Sequence, residues 1–63
     1  MEENIYKASK LSAWLIKEKG RDRRTAIIIG CRKFKVLFSQ RSQVGKEVTK
    51  LIKEWGGKQE SLL

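Results

Sequence analysis

Nothing in this chain can staple a fold through a disulfide or a metal. Its 63 residues include one cysteine, Cys31, no histidine and a single aspartate. Neither an internal disulfide nor a zinc site can be built from that set. Packing alone must hold the fold, and a chain this short buries only about 60% of the surface its unfolded form exposes. The expectation is one small basic domain over residues 1–63, with an ordered core over 4–57 and a frayed tail over 58–63.

Residues 4–19 read as a helix. They are rich in Lys, Leu and Ala, they contain no Gly or Pro, and Gly20 follows as a stop. At about 100° per residue, Ile5, Ala8, Leu11, Ser12, Leu15 and Ile16 share one face, the expected core face. Gly20 to Arg24 offers nothing apolar to bury and reads as an exposed loop. From Thr25 to Phe38 half the residues are Thr, Ile, Val or Phe, which favour a pleated surface. Gly30-Cys31 suits a tight hairpin turn with Gly at its first central position. Pairing about that turn sets Ile27, Ile29, Phe34, Val36 and Phe38 on one apolar face. Ala26, Ile28, Lys33, Lys35 and Leu37 then fall on a mixed, basic face. Ser42 is placed to cap a second helix. Over 43–55 that helix repeats Val44, Val48, Leu51, Ile52 and Trp55 along one stripe, and Gly56-Gly57 should end it.

The expected fold class is therefore α+β: a helix–β-hairpin–helix (αββα) domain with both helices packed on one face of an antiparallel hairpin. A two-stranded sheet is a weak platform. A homodimer joined through the hairpin edges is the expected repair.

Charge narrows the function. Fifteen Lys and Arg face seven Asp and Glu, for a formal charge of +8 and a pI near 10.1. The excess is concentrated: between Lys17 and Arg41 nine basic residues face two acidic ones, Glu18 and Asp22. Such a field attracts anionic polymers. Arg21, Arg23 and Arg24 can each fork onto phosphate oxygens, with Lys17 and Lys19 adding point charge. Arg32, Lys33 and Lys35 at the hairpin, with Arg41 just beyond, extend the same surface. The bland reading of these residues is a solvated, solubilising loop. A third feature is a stripe on helix one, where Tyr6, Lys10 and Trp14 lie away from the core face. It is either an interaction stripe or a Trp tucked under a neighbouring element.

Enzyme chemistry has little to work with. The commonest general base is absent with histidine, the carboxylates are scattered among cations, and no phosphate-cradling glycine loop is present. No catalytic residue, metal site or cofactor is expected. The reading is a small nucleic-acid-binding protein, led by phosphate contacts to DNA or RNA and suited to a regulator. Its rivals are a module docking an acidic protein, a peripheral membrane-surface binder resting on Tyr6 and Trp14, and a histidine-free ribonuclease toxin. One unpaired thiol and an acidic start suit the cytoplasm. The longest apolar runs, Ala13 to Ile16 and Ala26 to Ile29, fall far short of the roughly 20 residues that cross a bilayer.

Overall fold

A computed structural model describes the backbone of residues 3–62 and the side chains of residues 3–55. The described residues form three helices: α1 over Glu3–Lys19, α2 over Arg23–Lys33 and α3 over Arg41–Leu62. A 3₁₀ turn, Phe38–Gln40, leads into α3. Among the described residues there is no strand.

The expected α+β hairpin fold is thereby overturned: the described residues hold three helices and no sheet, and Thr25 to Lys33 is helix rather than strand. With the hairpin goes the expected dimer through its edges, since the described residues hold no sheet edge to pair. The physical reasons lie at both ends of the segment and in its middle. At the start, Asp22 is extended (φ −68°, ψ 154°) and its carboxylate accepts from the Thr25 N–H at 3.0 Å, which caps α2. Arg23 and Arg24 then enter the first turn as good helix formers. In the middle, Ala26 and Gly30 are spaced four apart, on one side of a helix, and both are buried.

That pair meets a matching set on α1. Ala8, Ser9, Ser12 and Ala13 are all fully buried. The Ser12 hydroxyl lies 2.8 Å from the Ala8 carbonyl and 2.9 Å from the Ala26 carbonyl across the seam. Its one proton can serve only one acceptor at a time. Gly30 is required by proximity: a Cβ there would stand 2.6 Å from the Ala8 carbonyl oxygen and would also run into Ser12 Oγ. Small side chains let two helix backbones approach closely, and the dispersion contacts of that approach replace the strand packing that three consecutive isoleucines suggested. The core face of α1 is rotated accordingly. Ile5, Ala8 and Ser12 are buried as the wheel sets them, but Ser9 and Ala13 join them while Leu11 and Leu15 are only half-buried.

Each connection has its own stop. Gly20 takes the left-handed conformation (φ 65°) after α1, and the Arg21 N–H turns back to the Leu15 carbonyl at 3.1 Å. After α2 it is Lys35 that adopts φ 55°. The Val36 N–H reaches the Cys31 carbonyl at 2.9 Å and the Lys35 N–H reaches the Arg32 carbonyl at 3.4 Å, the paired bonds of a Schellman ending. A lysine in that conformation costs about 1 kcal/mol relative to glycine. Val36 then packs against the core. The helix expected over 43–55 is α3, which starts at Arg41 directly after the 3₁₀ turn, so Ser42 lies inside it and does not cap it. The helix also continues through Gly56-Gly57, which do not end it. The expected frayed tail, 58–63, lies outside the described side chains.

Three helices share one core of Ile5, Ala8, Ala13, Cys31, Val44, Val48 and Leu51, edged by Ile16, Ile27, Phe34, Val36, Ile52 and Trp55. The chain runs up, down and up. Arg23, at the start of α2, bonds to Gly45 and Thr49, and Ile27 lies near Gly45. Positions rising along α3 thus meet positions falling along α2.

Asp22 carries a pH signature. The Thr25 side chain first, then the Thr25 backbone N–H, hold its carboxyl below the usual carboxylate range. A depressed folded-state pKa gives stability that is present above the unfolded-state value and lost as pH falls through the folded one. Asp22→Ala should lower the melting temperature at neutral pH, and the gap to the wild type should close under strong acid. Thermal melts monitored by circular dichroism at pH 7 and pH 2 check this. Asp22→Asn, which can still cap, should keep most of the neutral-pH stability.

Candidate nucleic-acid interface

The contacts between α2 and α3 define which side of that pair faces away from α1. Arg23 and Ile27 on α2 meet Gly45 and Thr49 on α3. Stepping one residue onward along a helix turns the side chain by about 100°. In two antiparallel helices that step carries both partners toward the same side. On α2 it leads to Arg24 and Ile28, then one turn later to Arg32. On α3 it leads to Lys46 and Lys50, then to Lys53. Ala26 and Gly30, which pack on α1, lie on the other side. The two helices therefore present Arg24, Arg32, Lys46 and Lys53 together on the face remote from α1, all exposed. Lys50 stands at its margin, flanked along the helix by Glu47 and Glu54. No carboxylate comes from α2, whose sequence contains none. Lys33, in the last turn of α2, is exposed but lies seven residues from Ala26 and so on the α1 side of the helix, not with Arg24 and Arg32; Lys35 is exposed in the turn beyond it.

This arrangement sorts the residues singled out from sequence. Arg24, Arg32, Lys33 and Lys35 lie along α2 and its C-terminal turn. Arg21 is exposed in the α1–α2 connection. Arg23 is exposed but occupied by α3: one guanidinium nitrogen donates to the Gly45 carbonyl at 2.7 Å and to Thr49 Oγ1 at 2.6 Å. It clips α2 to α3. Truncating it removes a charged donor from two acceptors, so Arg23→Ala should cost about 1 kcal/mol of stability, discounted for exposure. Urea denaturation should show a lower midpoint with unchanged slope. Arg41 is half-buried, its guanidinium carbon 4.9 Å from the Phe38 ring centroid.

Lys17 and Lys19 belong to the end of α1. Lys17 is half-buried, and the Lys19 ammonium sits 5.4 Å from the Trp14 ring centroid. The stripe of Tyr6, Lys10 and Trp14 runs along the outer side of α1. Tyr6 and Trp14 are each 43% exposed, and Lys10 lies 5.3 Å from the Tyr6 ring centroid. This stripe and the α2/α3 face are therefore on different sides of the molecule.

Two groups were missed from sequence. Lys46, Lys50 and Lys53 recur at spacings of four and three on the back of the Val44–Val48–Leu51 stripe, a signal available from the wheel. Phe38, expected on an apolar sheet face, is instead the most exposed large hydrophobic side chain among the described residues at 79%, with Leu37 beside it at 64%. Cys31, expected at a hairpin tip, is buried in the core. Burial pushes its thiol pKa up, against the opposing effect of nearby Arg41.

Among the described residues there is no cluster of metal-ligating side chains, and no helix is long and apolar enough to cross a membrane. No protein-family model, curated protein or solved structure matches this chain.

Proposed function

We propose that this protein is a small binding module that grips the phosphate backbone of a nucleic acid with its α2/α3 face. The observation that carries the reading is the convergence of Arg24, Arg32, Lys46 and Lys53 from two antiparallel helices on one side of the molecule. The α2 half of that side is free of carboxylates. Cations held on rigid helices lose less freedom on binding than cations on a loop. Arginines fork onto phosphate oxygens and lysines add point charge. Arg21 and Lys35, in the connections at either end of α2, extend the surface. The role is binding rather than catalysis, in keeping with a regulator of transcription or translation acting in the cytoplasm, where a lone thiol stays reduced.

The test is a fluorescence-anisotropy titration against duplex DNA, single-stranded DNA and structured RNA at two salt concentrations. Neutralising about five phosphates makes log affinity fall against log salt with a slope near −4 to −5 on duplex DNA. A slope near zero refutes the reading.

A further inference from the structure

Leu37 and Phe38 stand out as the strongest unexplained feature of the surface. Both are large and apolar, both are mostly exposed, and both sit in the turn that joins the two helices of the basic face. Backbone bonds tie the turn on both sides of the pair. Val36, just before them, is packed against the core and bonded to the Cys31 carbonyl. The Leu37 N–H points to Gln40 Oε1 at 3.4 Å, and the Gln40 N–H returns to the Leu37 carbonyl at 2.9 Å. The turn thus holds the pair outward in a fixed conformation. Fully burying a Leu or Phe side chain is favourable by about 1.5–3 kcal/mol, so a fixed outward pair points to a ligand that supplies the missing surface.

The surroundings say what that ligand is. Arg32, Lys33 and Lys35 precede the pair, and the Arg41 guanidinium lies over the Phe38 ring. The complementary partner offers flat apolar faces and negative charge within a few ångströms of one another. An unpaired nucleotide does both: its base stacks on the ring while its phosphate meets the cations. An anionic bilayer fits less well. Phe38 would have to carry the stacked guanidinium into the apolar region or lose it.

We infer that the Leu37–Phe38 turn is a base-stacking site, with Phe38 as the platform and Arg41 bracing it, and that the preferred ligand is single-stranded. This rests on the proposed phosphate-binding role of the α2/α3 face and specifies the form of nucleic acid bound there.

The experiment compares the full chain with Phe38→Ala and Phe38→Tyr. The probes are a 12-nucleotide single strand carrying 2-aminopurine, the duplex of the same sequence, and vesicles of anionic phospholipid. The wild type should bind the single strand more tightly and change the 2-aminopurine emission. Phe38→Ala should weaken single-strand binding roughly 5- to 150-fold, the loss of one base–aromatic stack. It should leave duplex affinity and its salt slope unchanged. Phe38→Tyr should retain both the preference and the emission change. Single-strand binding by Phe38→Ala equal to wild type, with salt-dependent binding intact, overturns the stacking site and leaves the phosphate-binding reading standing. Loss of vesicle binding in Phe38→Ala without loss of single-strand binding also overturns it, in favour of a lipid. Absence of binding to either oligonucleotide overturns both proposals together.

Discussion

Gly30→Ala should destabilise the protein by about 2 kcal/mol, a fall of roughly 10 °C in melting temperature for a domain of this size. Taken alone, the substitution should help, because alanine is favoured over glycine inside a helix by about 1 kcal/mol. Here the added methyl would sit 2.6 Å from the Ala8 carbonyl oxygen, well inside ordinary contact distance. That oxygen belongs to the backbone of α1 and cannot swing away. The seam must open, and Ser12 then loses its reach to the Ala26 carbonyl. Gly45→Ala is the matched control. Its Cβ would meet only the tip of Arg23 at 3.6 Å and Ile27 at 3.9 Å, ordinary contacts. The propensity gain should therefore survive, raising stability by about 0.5–1 kcal/mol. Thermal and urea denaturation of the two variants should move in opposite directions. A neutral or stabilising Gly30→Ala would contradict the close seam.

The largest expected effect on binding comes from Lys46→Ala/Lys53→Ala. Removing two phosphate contacts should reduce the salt slope on duplex DNA by about two and cost close to two orders of magnitude in affinity at about 0.1 M salt. The decisive comparison is Lys7→Ala/Lys10→Ala, which removes the same charge from the outer side of α1. Lys7 there is paired with Glu3 at 3.2 Å, and Lys10 lies over Tyr6. If only net charge mattered, the two doubles would lose equally. If the α2/α3 face does the binding, the α1 double should keep nearly all its affinity. Equal losses would remove the case for a defined interface.

How far these features were legible in sequence depended on the residue types. The first helix and its glycine stop were plain, because an unbroken run of helix formers ended at a residue suited to φ 65°. The apolar spacing of α3 was equally plain over 44–55. What failed was α2. Three successive isoleucines spread apolar character around the whole helix, so no period of 3.6 stood out, and their β-branching argued for strand. The correct signals were small: Asp22 three residues ahead of Thr25, and Ala26 spaced four from Gly30. Both read as loop or turn when taken singly, because a glycine demanded by a neighbouring backbone looks in sequence like a glycine demanded by a turn. The candidate interface suffered from the same error. Arg24, Arg32, Lys33 and Lys35 were singled out for their charge, but the partners on α3 became visible only once the two helices were known to lie side by side. Arg23 was misassigned because sequence cannot reveal that a guanidinium will be occupied by Gly45 and Thr49.

The seam between α1 and α2 has a consequence for the order of assembly. Gly20 to Asp22 is the whole link between those helices, so their contacts join residues close together in the chain and little loop entropy is lost in making them. An α1–α2 hairpin can form early, from local encounters, with its serine and small side chains already in register. The third helix meets α1 across a much longer stretch of chain, and it joins α2 through the shared core around Cys31 and the Arg23 bonds. The early hairpin would present an unfinished apolar flank until α3 arrives, so the rate at which α3 docks sets how long a newly made chain stays vulnerable to self-association.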